Sequence, residues 1–559
     1  FGGAGMVAKS AVTSFENLPA DLKTPPPPQR SRIVAFDGTP LAYFYAENRI
    51  PVKLAQVPDV TRNAVIAIED SRFYEHKGVD LRGITRAFVR NQTDGQLVQG
   101  ASTITQQYVK RVLVQDALQK GDAKAAAAAV DKNQDRKIRE IRYALALEQR
   151  LSKEEILERY LNITYYGAGA YGIGAAAQVY FGKPVSKLTL AESALLAGLL
   201  QSPSRYDPLK NKGVEAVARR NVVLARMGQL GFISSAEADR AIDEPLKLHV
   251  RKIPNGCASS PYGHFCDYVR RYLLDSPDFG KTREQRQDRL FKGGLTIRTT
   301  LQPRQQKFAD AAAAKSFPAN SRYVGALAVV QPGTGRVTAI AESRPFNSDQ
   351  VNYVTGRRFQ TGSTAKAFVL TAALSAGMPL TTTINSPHDY TSPVFRNGNK
   401  AYSVSNDARG MSGPYDMRSG IAASVNTYYV QLEERVGVDN AVRAALALGV
   451  SNPVINTTTG EKLMDKFLAD PKGYGSFTLG VAGVTPLDMA TAYATLAAKG
   501  LRCLPTPIES VVDSTGKPVN VGRRNCKQTI DPGVAAAATN ALSWVVNPQG
   551  HVTNGNTGG

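Results

Sequence analysis

Between about Ala64 and Tyr206 the apolar positions keep a helical period. Ile138, Ile141 and Leu145 recur on one helical face, as do Leu190, Ala194, Leu195 and Leu199, so the spacing predicts a mainly helical region. The pattern changes near Gly293. Leu295, Ile297, Thr299 and Leu301 alternate as in a strand that runs into Pro303. Ala326 to Gln331 and Arg336 to Ala341 flank Pro332-Gly333-Thr334-Gly335, a strand–turn–strand signal. A helical stretch is expected from about Ser363. A helical region followed by mixed strands and helices predicts domains of different class, joined by a connector over roughly 221–320, with no internal repeat. The run Ala125 to Ala129 either extends a helix or forms an insert.

Composition narrows the class. A chain of 559 residues exceeds one ordinary core, and 43% hydrophobic with 21% charged residues is the mix of a folded protein. The formal net charge of +21 favours a polyanionic partner: nucleic acid, an anionic membrane surface or a phosphorylated substrate. No zinc-finger spacing and no glycine-rich dinucleotide loop is present, which argues against nucleic acid. No apolar run reaches the roughly 18 residues of a membrane span. Phe1-Gly2-Gly3-Ala4-Gly5-Met6-Val7 reads either as the trailing end of a membrane helix or as a plain chain boundary, and Pro25 to Pro28 as a stiff spacer. The four cysteines form two local pairs, Cys257 with Cys266 and Cys503 with Cys526, without C-x-x-C spacing. Disulfides within each pair, and an oxidising compartment, are expected.

Three polar segments carry the first chemistry. Residues Glu69 to Asp80 gather four carboxylates around His76. Gly100-Ala101-Ser102-Thr103-Ile104-Thr105-Gln106-Gln107 lacks core periodicity and offers hydroxyls and amides to a sugar or phosphate. In Arg136-Lys137-Ile138-Arg139-Glu140, helical geometry puts Arg136, Lys137 and Glu140 on one face. In order, these resemble the glycosyltransferase domain of class A penicillin-binding proteins, which carries E-D-x-x-F-x-x-H-x-G, G-x-S-T-I-T-Q-Q and R-K-x-x-E. The match extends through Tyr160-Leu161-Asn162, Tyr171-Gly172-Ile173 and Leu190-Ala191-Glu192 to Gln201-Ser202-Pro203-Ser204-Arg205-Tyr206, covering about residues 50–210. The resemblance implies a mostly α, lysozyme-like fold and transfer of a growing glycan onto lipid II with release of undecaprenyl pyrophosphate. It makes Glu69 the general base, since a sugar hydroxyl must lose its proton as the bond forms. Lys110, Arg136 and Lys137 become the cations for the pyrophosphate, with Glu140 orienting them or helping to hold a divalent cation. Ser102, Thr103, Gln106 and Gln107 become substrate contacts, and Asp70 a structural neighbour.

The second constellation has no histidine triad, the whole chain holding five histidines. In Thr361-Gly362-Ser363-Thr364-Ala365-Lys366, a helix opening at Ser363 would bring the Lys366 amine one turn on to the hydroxyl. Ser424-Val425-Asn426 matches the companion S-x-N. Together these are similar to the transpeptidase domain of the same family. The resemblance implies an α/β fold, attack by Ser363 on a D-Ala carbonyl with Lys366 as base, proton relay by Ser424 and peptide holding by Asn426. The family's third element, K-T-G, does not occur after Asn426. A C-terminal truncation is the expected cause, the chain stopping at Asn556-Thr557-Gly558-Gly559.

The expectation is therefore multidomain. It comprises an N-terminal segment 1–49 that follows a membrane anchor, a glycosyltransferase domain 50–220, a linker 221–320 and an incomplete transpeptidase domain 321–559. Its partners would be lipid II and nascent glycan, stem peptides, β-lactams and a membrane surface, but no nucleic acid. No cofactor is required beyond a divalent cation at the pyrophosphate. The place is the extracytoplasmic face of a cell membrane. Competing readings are a penicillin-binding scaffold with an idle polymerase site, and a glycan hydrolase using Glu69 as its acid.

Overall fold

A computed structural model describes residues 21–22, 24–83, 102–131, 134–522 and 524–546. The segment Phe1 to Val7, Gly100, Ala101 and Asn556 to Gly559 lie outside them. The chain divides into two compact units. The first takes residues up to 31, 43–254 and 288–295; the second takes 32–42, 255–287 and 296 onward.

The first unit is helical: α1 (Asp59–Glu69), α2 (Ile104–Gln119), α3 (Ala123–Ala128), α4 (Gln134–Glu148), α5 (Lys153–Ile163), α6 (Ile173–Phe181), α7 (Leu190–Leu199), α8 (Val214–Gln229) and α9 (Ser235–Asp243). Local chemistry sets where they begin. Thr103 with Gln106, Ser152 with Glu155, Thr189 with Glu192 and Ser234 with Glu237 form reciprocal capping boxes at the starts of α2, α5, α7 and α9. α6 and α7 are apolar nearly all round and form the centre, with α1 and α8 packed on α7. The alanine run forms a short exposed helix of its own, capped by Asp122.

α4 forms where its spacing predicted, yet it turns a different face inward. Ile138 is 43% exposed, while Glu140, Ala144 and Leu147 are buried. The inward stripe thus begins with a carboxylate and its two cations, a polar surface that an apolar-period reading passes over.

The second unit mixes strands with helices. β1 (Ser31–Val34), β2 (Pro40–Phe44), β3 (Thr296–Thr299) and β11 (Ile508–Val512) form one sheet in the order β11-β3-β1-β2. β4 (Ala326–Val330) and β5 (Val337–Glu342) pair antiparallel across the expected Pro332–Gly335 turn. Pro303, unable to extend the strand, opens α11 (Pro303–Ser316), which packs on β5. The chemistry lies on β6 (Phe359–Gln360), α12 (Lys366–Ser375), the hairpin β7 (Asp389–Asn397) and β8 (Lys400–Ser405), α13 (Asn426–Val436), β9 (Gly483–Val484) and α15 (Pro486–Ala497). α12, buried from Lys366 to Leu374, is enclosed by α13, α14 (Val438–Leu448) and α16 (Pro532–Ser543).

Two stretches differ from expectation. The linker read over 221–320 is built structure. Val223, Leu224 and Met227 of α8 enter the first core, and α10 (Gly263–Asp275) buries Phe265, Val269 and Leu273 in the second unit. Likewise residues 32–42 of the N-terminal segment supply sheet strands, turning at Asp37-Gly38 where Gly38 takes φ +93°. Both follow from amphipathic spacing that short, polar-rich windows conceal.

Cys257 is bonded to Cys266, and Cys503 to Cys526 across neighbouring strands β10 (Leu501–Cys503) and β12 (Cys526–Gln528). Non-reducing peptide mapping should recover both crosslinks, and reduction should lower stability by roughly 2–4 kcal/mol per bond. Four alkylatable thiols in protein from an oxidising compartment would contradict this.

Candidate active sites

In the first unit Glu69 is the last residue of α1, partly buried, and accepts a hydrogen bond from Gln107 Nε2 at 2.7 Å. Tyr160, fully buried, donates to Gln107 Oε1 at 3.2 Å, which fixes the amide with its NH₂ toward the carboxylate. Burial pushes the Glu69 carboxyl above its ordinary range; the Gln107 bond and the charges of Arg111, Arg219 and Lys110 pull it partway back. A carboxylate whose proton affinity is raised in this way is better suited to taking a proton than an ordinary one.

Asp70, adjacent, does different work. Its carboxylate receives His76 Nε2 at 3.0 Å and the backbone N–H of Ile104 at 3.0 Å, so it ties the loop after α1 to the first turn of α2. That is a structural role.

The cations gather around α2 and α4. Glu140, buried, is paired by Arg136 and lies 3.6 Å from Lys137 Nζ. Lys137 also donates to Ser102 Oγ at 2.7 Å and Gln106 Oε1 at 2.9 Å. Lys110 feels both carboxylates, Glu69 and Glu140, and burial with neighbouring Arg111 lowers its pKa. The expected residues Glu69, Gln107, Lys110, Ser102, Arg136, Lys137 and Glu140 thus fall into one connected neighbourhood. Thr103 and Gln106 are different: they are 2% and 1% exposed and serve the α2 capping box, with Thr103 Oγ1 also donating to Gly78 O at 2.7 Å. They shape the site from beneath. Arg111 was not singled out by sequence, although it stands four residues after Gln107 on the same face of α2 and lies over the Tyr160 ring.

In the second unit Lys366 is 0% exposed, and its Nζ lies 3.0 Å from Ser363 Oγ, 3.0 Å from Ser424 Oγ, 2.7 Å from Ser424 O and 2.8 Å from Asn426 Oδ1. An ammonium has three protons for these four oxygens. A neutral amine would donate two and accept one, which lets the Ser363 hydroxyl donate to it. Burial alone brings the Lys366 pKa down to about 7. Ser424 reaches the amine with both hydroxyl and carbonyl because it sits at φ +55°, a strained conformation for a non-glycine residue, in the turn between two helices.

Ser363 lies in a 3₁₀ turn, Gly362–Ala365, and α12 begins only at Lys366. Gly362 has φ +58°, and Thr361 N–H bonds to Gly480 O at 3.0 Å. Gly480, at φ +81°, lies so close that a Cβ there would stand 2.3 Å from Gly362 N. Beside the turn, β6, β9 and α15 line a cleft of about 330 Å³ that includes Phe359, Thr364, Met489 and Tyr493.

Residues 37–228 match the Transglycosylase family, and residues 325–559 the family described as Penicillin binding protein transpeptidase domain. The chain is 32% identical to penicillin-binding protein 2D of Bacillus subtilis over 92% of its own length and 69% of the relative's. It is 34% identical to penicillin-binding protein 1A of Mycolicibacterium smegmatis over 95% and 65%. It thus spans about two thirds of these relatives. The solved penicillin-binding protein 1A from Haemophilus influenzae shares the fold, with a TM-score of 0.57 at 20% identity over 94% of this chain and 81% of that one. The chain belongs to the class A penicillin-binding proteins, peptidoglycan synthases that join a transglycosylase to a transpeptidase.

Gly480→Ala should push the Gly362–Ser363 turn aside and cost about 1–2 kcal/mol for the left-handed backbone alone. Acylation by a fluorescent penicillin, measured in the full-length protein beside its melting temperature, should slow by roughly tenfold or more. An unchanged rate would show that the turn tolerates displacement.

Proposed function

We propose that the first unit lengthens glycan from lipid II with Glu69 as general base, and that the second forms an acyl-enzyme on Ser363. Support for the first step is the fixed Gln107–Glu69 bond beside the cations of Lys110, Arg136 and Lys137. As the acceptor hydroxyl attacks, Glu69 takes its proton, while the cations offset the charge developing on the departing pyrophosphate. Glu140 keeps the cations aligned. Arg136 and Lys137 both engage it.

The observation that carries the second reading is the Lys366 amine within 3.0 Å of both serines. Neutral Lys366 accepts the Ser363 proton as Oγ attacks a D-Ala or β-lactam carbonyl. Ser424 passes the proton toward the leaving nitrogen, and Asn426 holds the substrate amide. The substrates, peptidoglycan precursors at the extracytoplasmic face of a membrane, fit a chain with a net charge of +21, although no helix among the described residues is long and apolar enough to cross one.

Glu69→Gln should cut glycan synthesis from lipid II by about 10²–10⁴-fold while leaving penicillin labelling intact. Near-original polymerisation would remove Glu69 from the role. Cleavage of mature glycan by the wild type that Glu69→Gln abolishes would favour the hydrolase reading.

Ser363→Ala should abolish labelling. Because the amine must be neutral to act, acylation by the wild type should fall as pH drops through about 7, the value to which burial brings Lys366. A rate flat from about pH 5 to 9, roughly two units either side of that value, would exclude Lys366 as the base.

A further inference from the structure

The helix that presents Asn426 has no cap of its own. α13 starts at Asn426, and its N-cap residue Val425 offers no side-chain acceptor. The first N–H groups of a helix need partners from elsewhere. Asn406, twenty residues earlier and 4% exposed, supplies one: its Oδ1 accepts the Thr427 N–H at 3.0 Å. Its Nδ2 lies 3.0 Å from Thr427 Oγ1, 2.7 Å from Met411 O and 3.3 Å from Pro387 O, and its own N–H donates to His388 O at 2.9 Å. Thr427 Oγ1 closes the ring by donating to Pro387 O at 2.8 Å. Both ends of the amide are engaged, which removes the freedom to flip.

The neighbouring residue reaches the reacting centre. Ser405, the last residue of β8, accepts Asn426 Nδ2 through its carbonyl at 3.1 Å, which leaves Asn426 Oδ1 facing Lys366 Nζ at 2.8 Å. Ser405 is held in turn by Asp389 of β7, both through the strand pairing and through its hydroxyl at 2.6 Å. Asn406 therefore grips the backbone on one side of Asn426 while its predecessor grips the side chain.

We propose that Asn406 is a positioning residue of the transpeptidase centre: it caps α13 in trans and locks the Ser405 carbonyl, so that Asn426 presents its oxygen to Lys366. The inference rests on the transpeptidase reading above. It assigns no contact with substrate to Asn406, whose side chain is spent on protein partners.

Loss of the clasp lets the Asn426 amide turn away and removes one acceptor from the Lys366 amine. Hydrogen bonds to an ammonium favour its protonated form, so their loss lowers the lysine pKa. The groups facing that amine are Ser363, Ser424, Asn426 and the Tyr429 ring, the last of which stays neutral throughout this range.

The test is Asn406→Ala in the full-length protein, followed by fluorescent penicillin labelling, amide hydrogen exchange and a melting curve. Labelling should still reach the wild-type end point, but at saturating penicillin it should be slower by about 10- to 100-fold, the scale of an ångström-level misplacement. The acid limb of its pH profile should move to lower pH, which a loss of folded protein alone would not do. Exchange at Thr427 should accelerate. If Asn406→Ala lowers only the labelled fraction, leaving rate and limb unchanged, Asn406 is merely structural and the proposal fails. Should the alanine variant not fold, Asn406→Asp keeps the acceptor for Thr427 N–H and loses the donors. It should keep Thr427 protected yet slow labelling at saturating penicillin; because its added carboxylate would itself favour the Lys366 ammonium, only the rate is read, and a wild-type rate would overturn the proposal. Wild-type protein that does not label at Ser363 would instead refute the underlying reading.

Discussion

A lysine taken out of water, with no carboxylate among the described residues to pair it, governs the second unit. Charged Lys366 would be costly inside α12, flanked by Ala365, Ala367, Phe368 and Val369. The structure meets the cost in two ways. It brings loss of the ammonium proton within reach of neutral pH, and it surrounds the amine with four oxygens from Ser363, Ser424 and Asn426. Those oxygens come from separate segments, so α12, the turn at Ser424 and the start of α13 must hold their places for the amine to be tolerated. The strained Ser424 backbone and the interlocked Gly362–Gly480 contact are the local consequences.

The first unit solves the mirror problem by the opposite means. Glu140 is buried, but two cations engage it, so it stays a fixed part of the α4 surface. Among the described residues Glu69 has no such direct partner. Gln107 bonds it without charge, and the cations act on it only through space, which leaves its proton affinity raised. One carboxylate orders charges and the other is left reactive; pairing distinguishes them, not residue type.

Much of this was legible along the chain. The helical and alternating periods located α4, α7, β3 and the β4–β5 hairpin, and the four local cysteines located both crosslinks, because those features depend on neighbours a few residues apart. The S-x-x-K and R-K-x-x-E spacings likewise place their side chains within a single turn. Less visible were the strands near Asp37-Gly38 and the helices α8 and α10. Their apolar positions are interspersed with arginines and glutamates, and their burial depends on partners far away in sequence.

By itself, then, the sequence determined the two domain classes and the residues able to do chemistry, since these reside in short motifs with local geometry. Only tertiary structure decided what each of those residues is free to do. Thr103 and Gln106 look like sugar ligands in sequence but are almost wholly buried, with their oxygens engaged at the start of α2, whereas Arg111, unremarked in sequence, acts on Glu69 through space and Asn406 holds the start of the helix that carries Asn426. The reason is that a side chain's role follows from which of its hydrogen-bonding groups remain unspent. That is settled by contacts such as Tyr160 with Gln107, or Asn406 with Thr427, made between segments that folding alone brings together.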